Sequence, residues 1–141
     1  MLALKRCLDA EMNRRMIPLG FTWVQARLIF ALEAQPGLAQ AHLATLLESD
    51  PAAISRQVAR LEDLNLVVTA RDDSDRRVRR VWLTAGGEQT ARSLHSVCNE
   101  VSARFVERAG PGRTEALITL IHDVLAGLEE CPAMQAPAIP S

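Results

Sequence analysis

No stretch of the 141-residue chain is apolar for long enough to cross a membrane, and its N-terminus lacks a signal peptide's apolar core and cleavage site, so a soluble cytoplasmic protein is expected. Cysteine is scarce: Cys7, Cys98 and Cys131 form an odd, widely spaced set that supports neither a disulfide framework nor a metal knuckle. His42, His95 and His122 are scattered, with no His/Glu helix pair and no Cys/His cluster. Gly86-Gly87 follow a predicted strand without the pattern of a phosphate-cradling loop, and no nucleophile motif is visible. Nothing here points to an enzyme, a metal or a cofactor. Lysine is nearly missing as well. Lys5 is the only one, so all but one of the 16 basic residues are arginine, the side chain suited to bidentate phosphate and guanine contacts.

What is present is concentrated between Asp50 and Thr84. Asp50-Pro51 opens a helix, with Asp as N-cap and Pro at the first helical position. Ile54, Val58, Leu61 and Leu64 recur at helical spacing as a buried stripe, leaving Ala52, Ser55, Arg56, Ala59 and Arg60 on a slim outer surface. The helix should stop near Leu64-Asn65, because Asn tolerates the left-handed conformation of a C-terminal cap. Leu66–Thr69 and Val78–Leu83 read as strands around a charged hairpin tip, residues 71–77. Arg56, Arg60, Arg71, Arg76, Arg77, Arg79 and Arg80 crowd this stretch, but so do Asp50, Glu62, Asp63, Asp72, Asp73 and Asp75. Bulk positive potential is therefore not available, and any basic patch depends on which side chains face outward.

The flanks are helical. Leu2–Met16 carries a stripe of Leu4, Leu8 and Met12, joined by Leu2, Cys7 and Met16, and ends at Pro18-Leu19-Gly20. Thr22 to Gln25 has capping-box spacing, which starts a second helix at Trp23 that runs to about Ala34. Gln35-Pro36-Gly37 is a turn, and Gln40–Leu47 a short helix with Leu43, Ala44, Leu46 and Leu47 inward. Thr84 caps a long helix to about Arg108. Gly110-Pro111-Gly112 interrupts it, and a last helix spans about Arg113–Glu129 before a Pro-rich tail expected to be disordered. The first, fifth and sixth helices have apolar stripes that one copy would leave wet, so a two-fold homodimer is the economical arrangement.

In this order and spacing the pieces resemble the MarR family of bacterial transcriptional regulators, close to its SlyA-like members. The resemblance rests on Leu19-Gly20-Phe21-Thr22-Trp23-Val24-Gln25, on Leu43-Ala44, on Ile54-Ser55-Arg56-Gln57-Val58 with Leu61-Glu62, on Asp72 with Asp75-Arg76-Arg77, and on Leu83-Thr84 with Gly87. It implies a mainly α fold with a small β-hairpin wing: a winged helix-turn-helix module on a helical dimerisation base. One domain over 1–130 is expected, with dimerisation helices at about 1–17 and 85–130, the DNA-binding module at about 22–84, and the tail at 131–141. The chain departs from the family pattern at Asn65, Glu48 and Ala39, and at Thr69 and Ala70, where arginines are frequent in the first wing strand.

The implied function is that of a homodimeric repressor which reads a palindromic operator in double-stranded DNA and is released by a small aromatic or phenolic effector. Ala52, Ala53, Ser55, Arg56 and Arg60 would face the major groove, with half-sites about 34 Å apart. Arg76 and Arg77 sit at the hairpin tip, and the resemblance implies that a wing arginine enters the minor groove. Asp75 would pair with a neighbouring arginine and hold the wing's shape. Trp23, Arg27 and His95 are the candidate effector-pocket residues, although Trp23 could equally just pack and Arg27 make an ordinary ion pair. Two other functional readings stay open. One is a winged module that binds protein. The other is a thiol-based redox regulator built on Cys7, against which the absence of tyrosine counts, since the family's peroxide sensors pair their cysteine with tyrosines on the second helix.

Overall fold

The computed structural model describes residues 2–116 and 119. The elements in chain order are α1 (Leu2–Met16), a 3-10 turn (Ile17–Leu19), α2 (Trp23–Ala34), β1 (Leu38–Ala39), α3 (Gln40–Leu46), α4 (Pro51–Asp63), β2 (Val67–Arg71), β3 (Arg79–Leu83) and α5 (Ala85–Ala109). The chain divides into two compact units, Met1–Asn99 and Glu100–Ser141. In the second unit the helix breaks at Gly110 (φ 82°) and helical structure resumes over 111–116, with Pro111 at its start. The remainder of the expected last helix, residue 119 apart, and the whole Pro-rich tail lie outside the described residues.

Capping chemistry sets the helix starts in the first unit. The Thr22 hydroxyl accepts the Gln25 N–H at 3.2 Å, and the Gln25 side chain accepts the Thr22 N–H at 3.0 Å, closing the capping box of α2. Gln25 is buried and also donates to Gln57 Oε1 at 3.0 Å, which fastens α2 to α4. Asp50 accepts the Ala53 N–H at 3.0 Å and Pro51 opens α4, as the sequence leads one to expect. At the far end Asn65 takes φ 56°, and its neighbour Leu66 donates to the Leu61 carbonyl at 3.0 Å. Glu48 adopts φ 50° in the turn between α3 and α4.

The core draws Met12 and Met16 from α1, Leu28, Ile29 and Leu32 from α2, Leu43 and Leu47 from the α3 region, Ile54, Val58 and Leu61 from α4, Val67 and Val81 from the sheet, and Leu94 from α5. Three expectations of burial fail. Leu46 is 51% exposed as the last residue of α3, and Leu64 is 54% exposed as the C-cap of α4. In the α1 stripe Met12 and Met16 are buried, whereas Cys7 and Leu8 face out.

The wing is a three-stranded antiparallel sheet in the order β1-β3-β2, not a bare hairpin. Leu38 pairs with Val81 and Ala39 with Arg80, while Val67 faces Leu83 and Arg71 faces Arg79. β2 runs two residues beyond the expected Thr69, since Asp72 donates to the Val78 carbonyl at 2.9 Å and Val78 to the Asp75 carbonyl at 2.9 Å, and these bonds close the tip. Gly37 starts the added strand, with its N–H on the Val81 carbonyl at 3.0 Å. It is held at φ 79°, and a Cβ there would lie 2.8 Å from Trp82 Nε1, so only glycine fits. No helix among the described residues is long and apolar enough to cross a membrane.

Candidate nucleic-acid interface

On α4 the buried positions Ile54, Val58 and Leu61 define the inner face, and Ala52, Ser55, Arg56, Ala59 and Arg60 lie exposed on the other side. Ala53, expected at the same surface, is half-buried. The alanines leave the helix backbone accessible. Among the described residues neither Arg56 nor Arg60 makes an ion pair or a side-chain hydrogen bond, so both guanidiniums keep their full set of donors.

The hairpin tip is built around Asp72. Asp72 Oδ1 accepts the Ser74 N–H at 2.8 Å, the Ser74 hydroxyl at 2.5 Å and the Asp75 N–H at 3.4 Å, while its Oδ2 accepts Arg80 Nε. The Ser74 hydroxyl and then the Arg80 guanidinium hold the Asp72 carboxyl well below the usual carboxylate range. Arg80 also donates to the Gly37 carbonyl at 3.0 Å, which ties the tip to the turn after α2. Asp75 has the narrower task expected of it: its Oδ1 accepts the Arg77 N–H at 3.0 Å and Arg77 Nε at 3.3 Å. Arg76 and Arg77 are both exposed, and Arg77 projects with 93% of its side chain accessible. In the sequence Asp72 stands only as the first residue of the wing motif, although an Asp two residues before Ser74 also fits an Asx-turn.

The surface is thus sorted by placement. Asp72 turns its charge inward on Arg80 and Ser74, and the arginines at 56, 60 and 76 point out unpaired with any described residue.

Trp23 caps a row of rings: it meets Phe30 edge-on at 6.4 Å, and Phe30 stacks on His95 at 4.4 Å. The Trp23 indole donates to Asp9 at 3.0 Å, and His95 Nε2 lies 2.6 Å from Glu33 Oε2. Phe30, unremarked in the sequence, is the ring that joins the other two. Arg27 is half-buried and has no ion-pair partner among the described residues. A cavity of about 300 Å³ lies along Leu32, Glu33, Pro36, Trp82, Leu83, Glu88 and Arg92, sharing only Glu33 with the aromatic row. Among the described residues no three His, Cys, Asp or Glu side chains gather to hold a metal.

A short helix, a tight turn, a second helix with an exposed small-and-basic face and an antiparallel wing define a winged helix-turn-helix protein. Known proteins share both its sequence and its shape. The model of the MarR family matches residues 19–78, which span α2 to the wing tip. The transcriptional regulator HosA of Escherichia coli O157:H7 is 29% identical over 101 residues, covering 72% of this chain and 75% of the relative. Wild-type apo MarR from E. coli superposes with a TM-score of 0.79 at 21% identity, over 87% of this chain and 91% of that one. MepR of S. aureus, in a structure with DNA, superposes with a TM-score of 0.74 at 22% identity, over 90% and 97% of the two chains. Residues 19–78 thus match the MarR family, and the fold is that of solved MarR-family regulators.

Proposed function

We propose that the protein binds double-stranded DNA as a homodimer and acts as a repressor at a palindromic operator, from which a small-molecule effector releases it. The observation that carries the reading is the pairing of two exposed arginine sets on rigid supports: Arg56 and Arg60 on a capped helix, and Arg76 and Arg77 on a tip knotted by Asp72. Ala52, Ala53 and Ser55 would line the major groove beside the helix arginines, and Asp75 would aim Arg77 into the minor groove. The relatives crystallised with DNA, MepR and a MarR mutant, support the same use of the fold. A dimer base formed by residues 1–17 and 85–130, with a reading module at 22–84, fits the exposed apolar side chains of Leu8 and Ile17 at 55% and 61% accessibility. A repressor of this kind works in the cytoplasm.

The test is a salt titration of binding to duplexes selected from a random pool. Affinity should fall steeply with salt, with a slope of about 0.9 per phosphate neutralised. Arg76→Ala should weaken binding about tenfold, the loss of one charge-assisted contact. No selected motif and a flat salt response would instead favour the protein-binding reading of the winged module, with which the near-balanced charge of the chain is compatible.

A further inference from the structure

Of the arginines near the wing, Arg77 and Arg80 have carboxylate partners, but Arg79 is held by a neutral group. Its Nη2 donates to the Thr69 hydroxyl at 3.1 Å, and that hydroxyl donates in turn to Glu62 Oε1 at 2.9 Å. Thr69 lies opposite Val81 and Arg79 opposite Arg71, so the contact runs diagonally across the β2–β3 ladder. A hydroxyl has one proton. With that proton committed to a carboxylate on the last turn of α4, its lone pairs are turned to the guanidinium and polarised toward it. A chain of carboxylate, hydroxyl and guanidinium therefore runs from the end of α4 to the wing. Thr69 stands where arginines are frequent in the first wing strand of the family, and the neighbouring strand here supplies a guanidinium next to it.

Arg79 keeps a full positive charge without direct contact to an acid. It spends one of five N–H donors on Thr69 and is exposed. It stands on β3 between the end of α4 and the hairpin tip, a strip that a DNA backbone would cross if it ran from the helix to the wing. We propose that Arg79 is a further phosphate contact, and that Thr69 is the positioning residue that holds it in place from Glu62. The proposal rests on the DNA-binding reading above. Pre-ordering a long side chain lowers the entropy lost when it grips a phosphate, and an arginine anchored on a neutral oxygen stays free to do so.

The experiment measures binding to a selected duplex between 50 and 200 mM salt for the unaltered protein, Arg79→Ala, Thr69→Val, Thr69→Ser and the Thr69→Val/Arg79→Ala double variant. Arg79→Ala should weaken binding about tenfold and make the salt slope shallower by about 0.9. Thr69→Val, an isostere that keeps strand propensity, should cost a smaller factor, Thr69→Ser should restore parental binding, and Thr69→Val should add nothing once Arg79 is gone. An unchanged slope for Arg79→Ala overturns the phosphate contact. An undiminished Thr69→Val effect in the Arg79→Ala background overturns the positioning role, since Thr69 would then act through the helix. Arg56→Ala run in parallel separates the two levels: its loss of affinity beside an unaffected Arg79→Ala removes this inference alone. A protein that selects and binds no duplex removes the DNA reading and this contact with it.

Discussion

Two adjacent glycines at the start of α5 should respond to the same substitution with opposite signs. A Cβ at Gly87 would lie 2.1 Å from the Leu66 carbonyl oxygen and 3.1 Å from the Leu83 side chain, whereas at Gly86 the nearest atom is 3.6 Å away, an ordinary contact. The obstruction at Gly87 is backbone, and that backbone is committed: the Leu66 carbonyl accepts the Thr84 N–H at 3.0 Å, and the Thr84 hydroxyl bonds the Asn65 carbonyl at 2.6 Å and the Gly87 N–H at 3.0 Å. For Gly87→Ala the Leu66 peptide or the helix start must move by more than 1 Å, on the order of the 3.4 Å ordinary limit less the contact found. Overpacking of this kind costs roughly 1–3 kcal/mol, and loosening the Thr84 bond about 1 more. The gain of Ala over Gly in a helix returns somewhat under 1 kcal/mol. The net expectation is a loss of about 1–3 kcal/mol for Gly87→Ala, against a gain of up to about 0.5 kcal/mol for Gly86→Ala. Urea unfolding followed by the fluorescence of Trp23 and Trp82, at one fixed protein concentration, measures both. A Gly87→Ala midpoint at or above that of the unaltered protein would refute the reasoning.

Other outcomes follow from the titrating groups. The Asp72 carboxyl titrates lower in the folded chain than in the unfolded one, so its contribution to stability is complete at neutral pH and is lost only as the pH falls through the folded value. The stability gap between Asp72→Asn and the unaltered protein should therefore hold steady from pH 8 to pH 5 and close only below about pH 4, and unfolding midpoints that converge between pH 7 and pH 5 would contradict this. Burial pushes the Cys98 thiol up, so at pH 8 iodoacetamide should modify the exposed Cys7 before the half-buried Cys98. Peptide mass mapping reads the order, and faster labelling of Cys98 would reverse the assignment.

Local chemistry was legible in the chain, and non-local chemistry was not. The bounds of α1 and α2, the capping box of Thr22 and Gln25, the Asp50-Pro51 start and the left-handed Asn65 all depend on residues within a turn of one another, and all are found. β1 escaped notice because two residues carry no periodicity, and the strand exists only by virtue of its pairing with β3, some forty positions on. The exposure of Leu64 reflects its place as the C-cap of α4, where a stripe drawn from period alone runs past the element it belongs to. At the candidate interface, seven arginines in one stretch could be counted but not sorted. Arg80 turns inward only because Asp72 and the Gly37 carbonyl, 8 and 43 residues away, come together around it. Phe30 became visible as a partner of His95 only once α2 lay beside α5.

The helix α2 is fastened at both ends. At its start the Trp23 N–H and indole bond Asn13 and Asp9 of α1, at 2.8 and 3.0 Å. Just past its end Gly37 is stitched to Val81, gripped by Arg80 and abutted by Trp82. Twelve residues of close-packed helix, about 18 Å at 1.5 Å per residue, make a stiff rod between these anchorages. One helix thus carries contacts to α1 at its start and, two residues past its C-cap, to the root of the wing. The first helix and the hairpin, far apart in sequence, are joined through the two ends of α2.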